Sequence, residues 1–364
     1  MVPNPLGSVS AGAVPRPAAP ACPQNWYLVA RSAELKPGAI LARALGNIEI
    51  VLYRGNNSSR AVAFAAHCAH AGCHLRHGKV VGDGLRCALH HRTIRDDGRF
   101  IAKDGSVVSG TSQFCLPVIE RFDCVFVFAG KVAAFDLPMP EICALGPFAT
   151  RSLPPKALPL SWSTLVSNGM DIDHLQAVHG RALREPPTFV QLDRNSVRLS
   201  CCARVTGNNV SDRVMKWIAK DEIRLSLTCV GGSMLLVESL LGRHRSFVML
   251  SMCPAGQAES TVRAVAGITG APNRATVKIA VRLAAWLFGA FLKNDIGILQ
   301  QMNWHAPEVE VTLGDTLTRR LGDYFRGLPE FDLASAQPAP NVPTLAMALG
   351  PRPASRVVRS GRGA

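Results

Sequence analysis

The stretch HCAHAGCHLRHGKVVGDGLRCALHH, residues 67–91, holds the densest set of metal-binding side chains in the chain. Cys68 and His70 form one pair, and Cys87 and His90 form a second pair after 16 intervening residues. The turn-forming glycines between the pairs are Gly78, Gly82 and Gly84. Two loops that each carry one thiolate and one imidazole suit a [2Fe–2S] cluster in which two cysteines bind one iron and two histidines bind the other.

A structural zinc ion is the alternative occupant, because two cysteines and two histidines also satisfy tetrahedral zinc. In common zinc sites cysteine is paired with cysteine and histidine with histidine, whereas here each loop carries one of each. The neighbouring cysteine and histidines fit no second pair of this spacing, and we expect them to be structural or exposed: His67, Cys73, His74, His77 and His91.

A second group of candidate ligands lies in NGMDIDHLQAVH, residues 168–179, and residues 168–180 are predicted to be helical. His174 and His179 are five residues apart, which on an ideal helix separates their directions by about 140°. Both can face one metal only if the helix is distorted or ends between them, and Gly180 is a helix-ending signal. Two histidines and one carboxylate form the facial triad of oxygen-activating iron(II) sites.

The carboxylate of such a triad has to come from elsewhere in the chain, and Asp295 is the candidate. It is a polar position in a predicted helix, residues 274–301, that is otherwise largely apolar. Burial of a carboxylate there is costly unless the group is paired or metal-bound. The alternative is an ordinary solvent-facing aspartate.

The first motif resembles the Rieske domain of the ring-hydroxylating oxygenase alpha-subunit family. The segments that carry the resemblance are Cys68-x-His70, Cys87-x-x-His90, Pro117-Val118, Glu120-Arg121-Phe122 and Val125-Phe126-Val127. The resemblance implies that Cys68 and Cys87 bind one iron, while His70 and His90 bind the other. The chain departs from the family pattern beside the ligands, at Ala69, Ala71 and Arg92, where the family usually has Pro, Arg and Trp.

The second motif extends the same resemblance. Asp171, His174 and His179 match the family pattern Asp-x-x-His-x-x-x-x-His, and Asp295 stands in the Asp-x-x-x-Leu context of the third iron ligand. The resemblance implies that Asp171 bridges a histidine iron ligand and a cluster histidine of the neighbouring subunit in a head-to-tail homotrimer. The alternative for Asp171 is a charge at a helix N-terminus, the role that we assign to Asp173.

The order of turn signals and apolar patterns predicts an α+β chain of two domains. An all-β Rieske [2Fe–2S] domain is expected at residues 25–135, and a catalytic domain with mononuclear iron, an antiparallel sheet covered by helices, at 136–334. Residues 138–159, rich in proline, are expected to link the two. Residues 1–24 and a basic tail, 335–364, are low in complexity and are predicted to be disordered.

Composition excludes some classes of protein. The formal net charge is +14, but four of the arginines lie in the tail and the other basic residues are scattered, so no nucleic-acid partner is expected. A basic surface could attract an acidic electron donor, or could only aid solubility. The 11 cysteines and the absence of a secretory signal favour a reducing, cytoplasmic compartment. The longest apolar stretch, residues 283–292, is about half of what a bilayer span needs.

These observations predict a terminal oxygenase that oxidises an apolar, aromatic or amine-bearing small molecule with O₂. No Gly-x-Gly-x-x-Gly follows a predicted strand, so NAD(P)H electrons are expected through a separate ferredoxin or reductase. Dihydroxylation, desaturation and demethylation remain open, as does an electron carrier with an inactive second domain. Within the family the chain resembles the aminopyrrolnitrin oxygenase branch, an arylamine N-oxygenase type, in residues 25–35, 87–91, 294–296 and 324–327. Candidate pocket walls, which are equally candidate core residues, are Met170, Leu175, Val178, Leu287 and Phe291.

Overall fold

The computed structural model describes residues 21–333, apart from Asn47, Lys103, residues 220–221, Gln257, residues 270–273 and residues 300–311. The predicted basic tail, residues 1–20 and the end of the predicted helix 274–301 lie outside the described residues. Within the described range, strands dominate the first half of the chain, and helices join them in the second half.

The first half contains twelve short strands: β1 (Trp26–Arg31), β2 (Ile40–Leu45), β3 (Ile48–Arg54), β4 (Ala61–Ala65), β5 (Lys79–Val81), β6 (Gly84–Arg86), β7 (Thr93–Ile94), β8 (Arg99–Ile101), β9 (Val107–Ser112), β10 (Cys115–Leu116), β11 (Val118–Arg121) and β12 (Cys124–Phe128). They form three antiparallel sheets, ordered β1-β12-β11, β10-β4-β3-β2 and β5-β6-β7-β8-β9. Short 3-10 turns lie at Ser32–Glu34 and Leu75–His77. The two cysteine–histidine pairs therefore lie on two loops, one between β4 and β5 and one between β6 and β7.

The second half is built around one nine-stranded antiparallel sheet. Its elements are a 3-10 turn (Glu141–Leu145), β13 (Phe148–Ser152), β14 (Lys156–Leu158), α1 (Trp162–Met170), α2 (Ile172–Ala177), β15 (Arg181–Leu183), β16 (Thr188–Asp193), β17 (Ser196–Val205), α3 (Val210–Ala219), β18 (Ile223–Val230), β19 (Met234–Leu241), β20 (His244–Pro254), β21 (Ser260–Thr269), α4 (Arg274–Leu299) and α5 (Leu313–Arg326). The main path is β13-β21-β20-β19-β18-β17-β15, with β14 on β21 and β16 on β17.

The long sheet is buried on both faces along part of its length, because its strands alternate between two apolar surfaces. In β19, Leu235 and Val237 face the side covered by α1 and α4, while Met234 and Leu236 face the first half of the chain. There they pack with Trp26 and other residues of β1 and β12 in a shared core. The α+β fold class, with an all-β first part and a helix-covered antiparallel sheet, is confirmed.

Three local predictions differ from the structure. Residues 21–24 are ordered rather than disordered, because Gln24 N–H donates to the Pro329 carbonyl and Cys22 is buried beside Phe331. Part of the predicted linker is sheet, since β13 and β14 both pair with β21. The predicted helix over residues 168–180 is two helices, α1 and α2, which meet at Asp171. None of the helices in the described range is long and apolar enough to cross a bilayer.

Candidate functional site

The first pair of loops brings together the four cluster ligands predicted from the sequence. Cys68 and Cys87 are buried at the base of the loops, and their thiols lie close enough to interact electrostatically. His70 and His90 are exposed at the tip, with ring centroids 4.9 Å apart. Sulfur therefore lies next to sulfur and imidazole next to imidazole.

Backbone hydrogen bonds close each of these loops. Cys68 N–H donates to the Cys73 carbonyl, and Cys87 N–H donates to the Arg92 carbonyl, both at 2.9 Å. Gln113, a buried residue that the sequence analysis missed, ties the first loop to the sheet. Its Oε1 accepts from the Ala69 N–H at 2.8 Å, and its Nε2 donates to two carbonyls at 2.8 and 3.0 Å. No local sequence signal marks this residue, because five strands, β5 to β9, separate it from the first loop along the chain.

The donor set fits a two-iron cluster better than a single zinc ion. A tetrahedral zinc would hold all four donors about 3.3–3.8 Å from one another, given bonds of about 2.0–2.3 Å. Among the described residues, the one group that brings three possible ligand atoms within 4.8 Å lies elsewhere, so these four are more widely spaced. Burial raises the pKa of Cys68 to about 11, while a backbone hydrogen bond from His70 opposes that rise. A thiolate at this position therefore needs a metal to stabilise it.

His174, His179 and Asp295 are the group that meets the spacing of a single metal. Nε2 of His174 lies 2.9 Å and Nε2 of His179 lies 2.7 Å from Asp295 Oδ1, and the two nitrogens are 3.1 Å apart. Three ligands at right angles, each about 2.1 Å from a metal, have donor atoms about 3.0 Å apart. The arrangement thus fits the facial two-histidine, one-carboxylate set.

The chain achieves this convergence by ending a helix between the two histidines. His174 lies within α2, which ends at Ala177, and Gly180 follows with φ +57°. His179 therefore leaves the helical path and turns towards Asp295 on α4, as the Gly180 signal indicated. Its ring stacks on Phe291, one turn before Asp295, with centroids 3.5 Å apart and an interplanar angle of 9°.

The carboxylate of Asp295 is buried yet charged. Burial by itself would raise the pKa of Asp295, but hydrogen bonds and charge interactions with His174 and His179 lower it below its ordinary value. Asn168 adds a polar group, because its amide nitrogen lies 3.4 Å from His174 Nε2. An anionic carboxylate between two imidazoles is the state in which these groups bind a divalent cation.

Arg181, which the sequence analysis also missed, holds the backbone of His179 in place. Its guanidinium donates to the carbonyls of His179 and Gly180 and to Asp212 Oδ1, the last at 2.9 Å. The Arg181 and Asp212 side chains are each only 4% exposed. The ion pair therefore links α3 to the segment that carries an iron-ligand candidate. An arginine directly after a helix-ending glycine was the only sequence signal for it.

The two aspartates next to the histidines have different contacts. Asp171 is the N-cap of α2, where its Oδ1 accepts from the N–H groups of Asp173 and His174 at 2.8 and 3.1 Å. Asp173 Oδ2 accepts from the hydroxyl of Thr312, the N-cap of α5, at 2.6 Å. Asp173 thus fastens two helices together, beyond the helix N-terminal charge expected for it. The bridging role expected for Asp171 stays a prediction.

A cavity of about 740 Å³ lies between one face of the long sheet and α4. Asp295 and Asn168 are among its few polar lining groups, and leucine, valine and phenylalanine side chains make up most of the wall. Of the candidate pocket residues, Leu175, Leu287 and Phe291 line it, whereas Met170 belongs to the packed core. Val178 is not part of the lining. Ligand-binding cavities of this size and polarity hold small apolar molecules.

Comparison with known proteins supports the description of the first half of the chain. The Rieske [2Fe-2S] domain family matches residues 25–110. Aminopyrrolnitrin oxygenase of Pseudomonas fluorescens is 30% identical over 129 residues, 33% of this chain and 35% of that protein. The oxygenase component of chloroacetanilide N-alkylformylase from Rhizorhabdus wittichii is 30% identical over 166 residues, 43% of this chain and 47% of that protein. The chain thus matches less than half the length of these curated relatives.

The fold is shared over a longer range. The crystal structure of dicamba monooxygenase bound to dicamba is similar with a TM-score of 0.64, covering 85% of this chain and 98% of that chain at 17% identity. The domain match confirms the Rieske [2Fe–2S] domain predicted from the first motif, and the relatives and the shared fold support the resemblance to the Rieske non-haem iron oxygenases.

Proposed function

We propose that the chain is the terminal oxygenase component of a Rieske-type system and uses O₂ to oxidise an apolar, aromatic or amine-bearing small molecule. The observation that carries the proposal is the position of Asp295, which is at once part of the three-residue metal group and part of the wall of the 740 Å³ apolar cavity. A substrate in the cavity would therefore lie next to the metal group.

The proposed ligand residues form two separate metal centres. Cys68, Cys87, His70 and His90 would hold the [2Fe–2S] cluster, and His174, His179 and Asp295 would hold ferrous iron. When bound, the cluster supplies single electrons and the iron supplies the activation of O₂. The apolar cavity wall binds the substrate and excludes water from the metal group, which favours oxidation of the substrate over unproductive side reactions.

Electrons have to come from another protein in this proposal, a ferredoxin or reductase that draws on NAD(P)H. The exposed imidazoles of His70 and His90 form the tip of the cluster loops, where a donor could approach. The second relative is named as an oxygenase component, which is the naming used for systems with separate electron-transfer proteins. The formal net charge of +14 favours an acidic donor, because opposite charges increase the rate of encounter.

Asp171 is proposed to connect protomers in a homotrimer. Its Oδ1 is occupied by the N-cap bonds of α2, whereas Oδ2 has no hydrogen bond to a described residue. The half-buried carboxylate lies three residues before His174 and can accept a hydrogen bond from a partner group. In the trimer that partner would be a cluster imidazole of the adjacent protomer.

One substitution and one spectrum test the proposal. Purified chain should contain about three irons, whereas an electron carrier with an inactive second domain would contain about two. His174→Ala should lose about one iron per chain and all turnover, but should keep the visible and electron paramagnetic resonance spectra of the reduced cluster. His77→Ala, an exposed histidine outside both ligand sets, should keep all three irons. Turnover by His174→Ala, or zinc in place of the cluster, would contradict the proposal.

A further inference from the structure

The cavity reaches the surface at a point remote from Asp295. Its α4 lining runs from Leu299 back to Ala280, and Leu283 lies twelve residues before Asp295, about 18 Å along the helix axis. At that end the wall is completed by Trp217 of α3 and by His244, which begins β20. All three of these end residues, Leu283, Trp217 and His244, are exposed to solvent, so they mark the mouth of the cavity.

Large apolar side chains surround this mouth without cover from the described residues. Trp217 is 84% exposed, Ile279 66% and Trp286 46%, and Leu283 lies between the last two on α4. Ile279, Leu283 and Trp286 are spaced i, i+4 and i+7, so they form one stripe along the helix. We call Trp217, Ile279, Leu283 and Trp286 the mouth patch. Exposed apolar side chains clustered beside a cavity mouth mark an interaction site rather than a solvated face.

The charges next to the mouth patch are positive. Arg213 precedes Trp217 by one helical turn, Lys278 and Arg282 are neighbours of the α4 stripe, and Arg243 and Arg245 flank His244. All five are exposed, and none of them forms an ion pair within the described part of the chain. Surfaces that dock on anionic lipid combine tryptophan and leucine side chains with lysine and arginine side chains that form no ion pair within the protein.

We propose that the mouth patch is a docking surface for anionic phospholipid membranes, through which an apolar substrate enters the cavity from the bilayer. Trp217 and the α4 stripe would insert among the headgroups and the upper acyl chains, while the five basic side chains would contact lipid phosphates. A mouth that opens into hydrocarbon spares an apolar substrate the passage through water. The docking itself needs neither metal, so it can be tested apart from the proposed oxygenase activity.

Vesicle binding by the purified full-length chain is the test. Sedimentation with vesicles of phosphatidylcholine containing about a third phosphatidylglycerol should retain the chain at low salt, and pure phosphatidylcholine should retain much less. Trp217→Ser combined with Trp286→Ser should weaken binding about tenfold or more, and Arg243→Gln combined with Arg245→Gln by a similar factor. Val132→Ser combined with Val190→Ser, which removes exposed apolar side chains elsewhere, should bind as the unmodified chain does.

A second measurement needs no variant and guards against misfolding of the tryptophan pair. Brominated acyl chains in the anionic vesicles should quench part of the intrinsic fluorescence, because two of the five tryptophans lie in the mouth patch while Trp26 and Trp162 are buried. Absence of quenching, or equal binding by the tryptophan variant and the valine control, would overturn the proposal. The proposal would also be overturned if the tryptophan variant formed a smaller assembly than the unmodified chain in sedimentation velocity, because the mouth patch would then be an interface between copies of the chain.

Discussion

At the scale of single residues, the buried ion pair of Arg181 and Asp212 is the strongest contact outside the metal groups that holds the His179 segment in place. Arg181→Ala would leave the Asp212 carboxylate buried without its partner and would release the carbonyls of His179 and Gly180. Loss of one partner from a buried pair costs about 3–5 kcal/mol. We expect denaturant unfolding to show a loss of this order, and the folded fraction to bind less iron than the unmodified chain.

The exposed pair of Arg224 and Glu222 provides the control for that prediction. Arg224→Ala removes an arginine of equal size from β18 but leaves no buried charge behind, so neither the unfolding midpoint nor the iron content should change measurably. If Arg181→Ala lowered stability but bound iron as tightly as before, the ion pair would be structural only and its link to His179 would be wrong.

Single residues also show which parts of the candidate site could be predicted from the sequence. Cys68, His70, Cys87 and His90 could be proposed as ligands from the sequence because ligand chemistry fixes residue type and the two loops repeat the pairing. Gln113 was not, since an amide that ties a loop to a sheet has no typical neighbours in sequence and is defined only by the fold. Ligands are restricted in type, whereas the residues that support them need only fit locally.

At the scale of secondary-structure elements, the end of α2 decides whether two histidines can meet. Gly180 has φ +57°, and a Cβ added there would lie 2.6 Å from the Gly207 backbone nitrogen. Gly180→Ala therefore combines left-handed strain, about 1–2 kcal/mol, with a steric clash against a second segment. We expect a lower free energy of unfolding and, because His179 is the preceding residue, weaker iron binding measured by titration of the apo chain.

Gly289→Ala is the matched control within α4. A Cβ at Gly289 would meet no atom within 4 Å, and alanine favours a helix interior over glycine by up to about 1 kcal/mol. This variant should be as stable as the unmodified chain or more so. Equal iron affinity in the Gly180 and Gly289 variants would show that the helix end does not position His179.

The ends of helices and strands could be predicted where a local sequence signal marks them. They could not be predicted where pairing with a distant strand determines them. Gly180 marked the end of α2 in the sequence, and the long apolar pattern marked α4. Proline-rich residues 138–159 suggested a linker, yet β13 and β14 pair with β21, more than a hundred residues later. Sheet pairing of this range is a tertiary contact, and a single strand does not encode its partner.

At the scale of the whole molecule, the order of two metal patterns predicted the two parts of the fold, because each pattern needs its own scaffold. The shared core between them was not predictable. Met234, Leu236 and Phe247 of the long sheet pack with Trp26 and Phe128 of the first half, so an apolar core joins the two parts of the fold. In the proposed homotrimer, electron transfer between protomers would then depend on how the protomers assemble.

Mixed trimers test directly whether electrons pass between protomers. Chains with His70→Ala lack a proposed cluster ligand and chains with His174→Ala lack a proposed iron ligand, so each variant alone should turn over no substrate. When the two are co-expressed with different tags and trimers carrying both tags are purified, one of the three protomer junctions joins an intact cluster to an intact iron group, whatever the ratio within the trimer. About a third of the turnover of the unmodified trimer is therefore expected, measured as substrate-dependent O₂ uptake with an arene or amine that the unmodified chain accepts. Mixed trimers that hold both metals but consume no O₂ with that substrate would show that electrons do not cross between protomers, and Asp171 would then have no role beyond the cap of α2.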